Sequence, residues 1–199
     1  APPPTGACCV GESCSITTSD ACGGTWQGAD TTCNGDPCSI KETLRVPQDY
    51  PTIATAIAAA SAGDVVLVGP GTWTSSGDYV LNLFAKQITV RSADGPATTI
   101  LDGQNARRVV RCGAGETSAS IIDGFTITGG AAVNGAGVSF NASHPTIMNC
   151  VITGNNATNH GGGIWCTDSS SPTFVWCTIS SNTAGDSGGG SGGGLRIDD

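Results

Sequence analysis

One short pattern occurs three times in this chain, as ASIIDGFTITGG at 119–130, HPTIMNCVITGNN at 144–156 and SPTFVWCTISSNT at 171–183. Equivalent residues of the second and third copies lie 27 positions apart. Those of the first and second copies lie 25 apart. A period in the mid-twenties with short apolar alternation is typical of solenoids, in which each repeat stacks on its neighbours.

Apolar and polar residues alternate within each copy, which predicts short strands with one buried face. No connecting segment has the length or periodicity of a helix. We therefore expect an all-β fold in which each repeat is one coil of a parallel β-helix. Three inward stacks follow from the alignment, namely Ile122, Ile147 and Phe174, then Phe125, Cys150 and Cys177, then Ile127, Ile152 and Ile179.

A second pattern, rich in glycine, separates the copies as GAGVSF at 135–140, GGGIWC at 161–166 and GGGLRI from Gly192. Glycine suits turns that need a positive φ or a close approach of two backbones. Asn155 and Asn182 fall at a turn, where stacked amides can form a hydrogen-bonded ladder. Both features favour coils that repeat in register.

The composition excludes several classes of protein. The 199 residues carry a net charge of −8 and only 12% charged residues, so a nucleic-acid partner is not expected. No run of 18 apolar residues is present, so no membrane span is expected. The opening APPPTG is typical of a mature N-terminus left by signal cleavage, and ten cysteines indicate an oxidising compartment. We therefore expect an extracellular or cell-surface location.

The segment 7–38 contains six cysteines at positions Cys8, Cys9, Cys14, Cys22, Cys33 and Cys38. Its apolar residues are too few for a core, so disulfides are expected to stabilise it. Six cysteines allow 15 connectivities, which the sequence leaves open. A zinc site is the rival interpretation, but paired CxxC spacing and histidine are lacking. Trp26 is expected in the small core, with sugar contact as the alternative.

Three parts of the chain follow from these patterns. Residues 1–6 are expected to form a Pro-rich arm, either a linker or a segment that docks on a neighbouring molecule. Residues 7–38 form the disulfide module, and 39–199 the β-helix. Apolar residues at helical spacing predict a capping helix at 52–61, with Thr52 as its N-cap. We expect four to five coils in the β-helix.

The residues VPQDYPTIATAIAAASAGDVVLVGPGTWT at 46–74 and KQITVRSADGPATTILDGQNARRVV at 86–110 resemble the pectin-lyase-like superfamily. This resemblance implies a right-handed parallel β-helix, but the superfamily includes lyases, hydrolases, esterases and inert adhesins. The Cys-rich segment, with its GGTWQG motif, resembles a small module of secreted proteins from planctomycetes and related bacteria. That second resemblance implies secretion and no particular activity.

No catalytic motif, metal site or cofactor site is expected from the sequence. The Asp-Gly pairs at Asp102 and Asp123 fit turns better than calcium ligands. Arginines 107, 108 and 111 are expected on a solvated face, with contact to an anion or sugar as the alternative. Structural or surface roles are expected for His144 and His160. Four scattered acids do not match a calcium-loop pattern, namely Asp168, Asp186, Asp198 and Asp199.

Four cysteines of the repeats share the inward phase. Cys112 and Cys166 lie two coils apart, which is too far for a disulfide. Cys150 and Cys177 lie on adjacent coils, within the permitted Cα range. Their parallel Cβ directions favour free thiols over a bond, although the sequence leaves both open.

We expect a non-catalytic, secreted structural protein that assembles end to end with itself into an extracellular fibre or surface layer, because the last strand stops in mid-coil and presents an unpaired edge. The assembly edge is predicted to comprise Leu195, Arg196, Ile197, Pro2, Pro3 and Pro4. The alternative is a glycan-binding module in which Trp73 or Trp165 contacts a cell-surface polysaccharide. A fragment of a carbohydrate-active enzyme is the third interpretation.

Overall fold

A computed structural model describes residues 2–10, 13–33, 41–113, 115–185 and 192–198. The chain forms two compact units, Ala1–Lys41 and Glu42–Asp199. The boundary lies close to the one expected from the composition. Each unit is described by itself below.

The N-terminal unit contains a small antiparallel sheet of three strands, with β1 (Thr5–Val10) between β2 (Ser13–Thr18) and β3 (Thr25–Trp26). A 3-10 turn at Ser19–Ala21 follows β2. Because Thr5 already pairs with Thr18, the expected arm at 1–6 is too long. The exposed prolines Pro2, Pro3 and Pro4 precede the sheet.

Disulfides cross-link this small sheet, as its composition required. Cys8 is bonded to Cys22 and Cys14 to Cys33, with Cα–Cα distances of 5.5 and 5.7 Å. Cys9 is also disulfide-bonded, whereas Cys38 lies outside the described residues. Trp26 is half-buried, so the expected aromatic core is replaced by a buried strip at Ala7, Cys8 and Cys9.

The second unit is a parallel β-solenoid of about four turns. Its first sheet has six strands, β4 (Thr43–Val46), β5 (Val65–Val68), β8 (Thr89–Ser92), β11 (Ile121–Asp123), β15 (Thr146–Met148) and β19 (Thr173–Val175). The second sheet has five, β6 (Gly71–Trp73), β9 (Thr99–Asp102), β12 (Thr126–Thr128), β16 (Val151–Thr153) and β20 (Thr178–Ser180).

The third sheet also has five strands, β7 (Tyr79–Asn82), β10 (Arg108–Cys112), β14 (Val138–Asn141), β18 (Ile164–Thr167) and β22 (Leu195–Ile197). A short corner sheet precedes it in the later coils, formed by β13 (Ala131–Asn134), β17 (Asn156–His160) and β21 (Thr183–Ala184). The chain visits the sheets in a fixed order and returns one strand further along each time.

The strand register matches the alignment of the repeats. Ile152 pairs with Ile127 on one side and with Ile179 on the other. Ile122 pairs with Ile147, which in turn pairs with Phe174. The core contains Ile122, Ile127, Ile147, Ile152, Phe125 and Cys150, all at most 1% exposed.

Three members of the expected stacks are less buried than the alignment implies. Ile179 is 38% exposed, and Phe174 and Cys177 are only partly buried. Their strands β19 and β20 are the last of their sheets among the described residues, so each side chain is covered from one side only. Burial in a solenoid requires a neighbour on both sides.

Helix α1 (Ile53–Ala59) packs Ile53, Ala56 and Ile57 into the first coil. Thr52 is its N-cap, as expected, and forms a reciprocal capping box with Thr55. The helix is shorter than the expected 52–61 because Ala60 is already extended. The Lys86 ammonium donates to three backbone carbonyls at this end, those of Ile57, Ala58 and Ala60, at 2.7–2.8 Å.

The expected amide ladder is present at the corner after β16 and β20. Asn155 Oδ1 accepts from Gly130 N at 2.9 Å, and Asn155 Nδ2 donates to Ile127 O at 3.0 Å. Asn155 Nδ2 also lies 2.9 Å from Asn182 Oδ1. Each amide therefore ties its own coil to the one before it.

The glycine pattern marks another repeated corner. Gly135, Gly161 and Gly192 begin its three copies and have φ values of 58°, 58° and 52°. A Cβ at Gly161 would also lie 2.3 Å from Ile164 O. The positive φ and this clash both exclude a side chain there.

Ile152→Asp should prevent stable folding of the β-solenoid. The substitution places an unpaired carboxylate in a fully buried stack, which costs more than about 4 kcal/mol. Urea unfolding followed by circular dichroism measures the effect. Thr178→Asp, at an exposed position of the same sheet, should shift stability by less than about 0.5 kcal/mol. Cooperative unfolding of Ile152→Asp at the wild-type midpoint would contradict the register.

Asn155→Ala should destabilise the chain by about 2–4 kcal/mol, because Gly130 N–H and Ile127 C=O lose their buried partner. Asn156→Ala is the matched control, since Asn156 is the next residue and is exposed. The melting temperatures of the two variants separate the contribution of the ladder hydrogen bonds to stability from that of an exposed amide. Equal melting temperatures would show that the ladder contributes nothing to stability.

Candidate functional site

The loop at 74–78, which joins β6 to β7 in the first coil, shapes three adjoining depressions. Their volumes are 390, 220 and 400 Å³. The first and third share Ser76, and the second and third share Gly77, Asp78 and Tyr79. Because they share lining residues, we treat the three depressions together as the candidate site and call them the groove, since ligands bind in concave surfaces with convergent polar groups.

Trp73 lines the first depression, between the loop and the first turn of α1. Its indole Nε1 donates to Gly69 O at 3.0 Å, and its ring packs partly against the core. The ring is therefore fixed while part of it stays exposed. Around it stand the hydroxyl residues Thr52, Thr72, Thr74, Ser75 and Ser76.

Tyr79 lines both the second and the third depression. Arg111 Nη1 donates to Tyr79 Oη at 2.7 Å, and the guanidinium carbon lies 5.2 Å from the ring centroid. This combined hydrogen bond and cation–π contact fixes the aromatic ring in position. Phe84, which is 65% exposed, adds an apolar edge to the second depression.

Arg108 does not lie on a solvated face, contrary to expectation. Its Nε donates to Gly135 O at 2.8 Å and its Nη2 to Asn134 O at 2.6 Å. Burial lowers the pKa of Arg108, with a smaller opposing effect from Tyr79 and a further lowering from Arg111. Arg108 thus holds the corner before β14 and borders the groove through the third depression.

Arg107 lines the third depression beside Arg108 and the loop residue Asp78. Its Nε and Nη1 are buried and have no hydrogen-bond partner within the part of the chain that the structure describes. Atoms buried in this way are out of reach of a ligand, so a ligand would contact the part of Arg107 that lines the depression. A guanidinium donates to hydroxyl and carboxylate oxygens alike.

The groove therefore combines two fixed aromatic rings with hydroxyls and a cationic donor. An aromatic face accepts the C–H face of a ring-shaped polar molecule, and the hydroxyls exchange hydrogen bonds with its edge. The arrangement is suited to binding a polar ligand with an apolar face.

The other acids considered from the sequence have local roles where the structure describes them. Asp102 Oδ1 accepts from Gln104 N at 2.7 Å, which closes a turn. Asp123 Oδ1 accepts from Asn149 Nδ2 at 2.7 Å. Asp168 accepts from the side chain of Asn141, whereas Asp186 and Asp199 lie outside the described residues. Within the described ranges, no three of His, Cys, Asp and Glu gather as metal ligands.

The two histidines lie at corners away from the groove. His144 Nδ1 lies 3.0 Å from Ser171 Oγ and accepts from Ser171 N at 3.1 Å. The backbone N of His160 donates to Asn134 Oδ1 at 3.1 Å. Both contacts join successive coils, which is a structural role.

Like Trp73, Trp165 uses its indole N–H within the chain. Its Nε1 donates to Asp198 Oδ2 at 2.7 Å. This hydrogen bond, followed by the one from Arg196, lowers the pKa of Asp198. Of Trp73 and Trp165, only Trp73 lines the groove.

Sequence reasoning named Trp73 and the three arginines but missed Tyr79 and the loop at 74–78. The contact between Tyr79 and Arg111 spans 32 residues and lies in the first coils, where the repeat pattern is weak. A cluster of hydroxyl residues around a tryptophan, TWTSS at 72–76, was the available signal.

A family model described as "Right handed beta helix region" matches residues 89–199. No curated protein and no solved structure matches the chain significantly. Among the described helices, none has the length and apolarity needed to cross a bilayer.

Proposed function

Since the chain belongs to the right-handed β-helix family, we propose that it is a non-catalytic, glycan-binding protein of the cell exterior. The groove around Trp73 is the observation that carries this proposal. The same fold occurs in enzymes and in non-enzymes, so the proposal rests on the groove and not on the family.

A pyranose ring presents hydroxyls at its edge and C–H groups on its face. The exposed part of the Trp73 ring offers a flat apolar surface to that face, and its fixed position avoids an ordering cost on binding. Thr72, Thr74 and Ser76 are exposed beside it and offer both donors and acceptors. Arg107 lines the other end of the groove.

The groove favours binding over catalysis. Its only carboxylate among the lining residues of the three depressions is Asp78, whereas glycoside hydrolysis usually needs a pair. Its cations are arginines, whose guanidinium groups do not lose a proton near neutral pH and are therefore poor general bases. These features support a ligand held without chemical change.

The proposed location outside the cell is supported by the disulfides of the N-terminal unit, because such bonds persist in oxidising compartments. Membership of the pectin-lyase-like superfamily and a relationship to secreted bacterial proteins are also part of this proposal. Both rest on the sequence resemblances.

Trp73→Ala should weaken glycan binding about tenfold, through loss of about 1.4 kcal/mol of ring contact. Affinity electrophoresis through gels containing cellulose, soluble chitin or polygalacturonate measures retardation of the folded chain. Trp176→Ala is the matched control, because Trp176 is 83% exposed and lies outside the groove. Trp73→Phe retains much of the packing and should bind at an intermediate level.

Absence of retardation of the wild-type chain by every polysaccharide would overturn the proposal. Equal loss of binding in Trp73→Ala and Trp176→Ala would place the ligand elsewhere. Circular dichroism of each variant separates loss of binding from loss of folding.

End-to-end association with a second copy is a second proposal, favoured by the last described rung. Ile179, Leu195 and Ile197 are 38%, 43% and 61% exposed, whereas Ile152 and Ile164 in the preceding coil are fully buried. Helix α1 packs on the first strands, so a second copy would have to cover this rung with another surface. From the sequence, we predict that the N-terminal unit of the second copy covers this rung, with Pro2, Pro3 and Pro4.

Ile197→Asp should reduce such association, because it places a charge on the apolar rung. Sedimentation equilibrium over a range of concentrations measures the average mass. Val133→Asp is the matched control, because Val133 is 64% exposed but lies on the corner strand β13. A wild-type chain that stays monomeric at high concentration would refute this second proposal and leave the first intact.

A further inference from the structure

Cys150 and Cys177 occupy equivalent positions on adjacent coils. They directly precede Val151 and Thr178, which pair in the parallel register of β16 and β20. Adjacent strands lie about 4.8 Å apart. Disulfide-bonded cysteines have Cα separations of about 4.4–6.8 Å. The backbone therefore holds the two residues at a distance that a disulfide can span.

Both thiols are directed towards the coil before their own. Cys177 Sγ lies 3.4 Å from Ile147 O, in the coil that carries Cys150. The interaction between the two thiols shifts the pKa of both. Cys150 Sγ in turn faces the coil before it, where it accepts from Phe125 N at 3.5 Å.

The thiols differ in accessibility and acidity. Cys177 is half-buried, whereas Cys150 is only 1% exposed. The hydrogen bond from Cys150 lowers the pKa of Cys177 to about 6, against opposing effects of burial and of the Asp123 carboxylate. The same hydrogen bond and burial raise the pKa of Cys150. Cys177, the more accessible thiol, is therefore the better nucleophile near neutral pH.

We propose that Cys177 and Cys150 act as an attacking and a resolving thiol that form a disulfide between adjacent coils by exchange with a small-molecule disulfide. Cys177 thiolate attacks one sulfur of the small disulfide, which forms a mixed disulfide and releases one small thiolate. Cys150 loses its proton to solvent and attacks Cys177 Sγ, which releases the second small thiolate. Two protein thiols are oxidised and one small disulfide is reduced to two thiols.

Cys112 and Cys166 are internal controls for this proposal. Phe140 pairs with both and separates them by two strand spacings, about 9.6 Å, beyond the reach of a disulfide. Burial raises the pKa of Cys112 well above its usual range and that of Cys166 to about 11. Both should remain protonated and unreactive in the folded chain.

Iodoacetamide labelling of the folded chain, followed by peptide mass spectrometry, tests the attacking thiol. Cys177 should react at least tenfold faster than Cys112, Cys150 or Cys166 at pH 7. Its rate should rise through about pH 6 and then level off, because only the thiolate reacts. Cys150→Ala removes the hydrogen-bond donor and should move this rise to higher pH. Cys177 labelling no faster than that of Cys166 would overturn the proposal.

Incubation with oxidised glutathione tests the resolving thiol. The wild-type chain should yield a Cys150–Cys177 cross-linked peptide, and Cys150→Ala should stop at the mixed disulfide of Cys177 with glutathione. Cys177→Ala should yield neither product. A wild-type chain that accumulates the mixed disulfide without the cross-link, or that leaves Cys177 unmodified, would refute the proposed pair.

Discussion

Hydrogen bonds at the corners of each coil are the constraint on which this structure depends. Where the chain turns, backbone groups leave the sheet ladders and need another partner. Asn155 supplies it at one corner, through Gly130 N and Ile127 O in the preceding coil. Cys150 does the same at another corner, with Sγ near Phe125 N and Ile122 O. A thiol and an amide thus fulfil one role, and both require every coil to return in register.

This requirement explains which features could be predicted from the sequence. Ile127, Ile152 and Ile179 recur because each must stack on the last, so their spacing alone predicts the register. The burial of Ile179 could not be inferred, because it depends on a neighbour on its outer side. Likewise, the alternation near Arg108 indicated an outward side chain but not the two carbonyls that bind it.

The candidate groove lies where the repeat is least regular. Residues 74–78 leave the coil between β6 and β7, and solenoids commonly present ligand-binding residues on such insertions. Charge is also unevenly distributed, because three of the eight Lys and Arg residues lie at 107–111, beside the groove or on its tyrosine. Although the chain is acidic overall, this region is locally cationic and does not repel a ligand that is rich in hydrogen-bond acceptors.

The corner bonds also make one coil interchangeable with another. Across the 27-residue spacing, cysteine faces cysteine, isoleucine faces isoleucine and asparagine faces asparagine. A duplicate of residues 150–176 placed after Trp176 would continue this register, with Cys150, Ile152 and Asn155 each next to its own copy. The length of this domain is thus an adjustable property of its gene, and stability grows with each unit through nearest-neighbour terms. Such a protein can lengthen or shorten by whole coils without redesign of its cross-section.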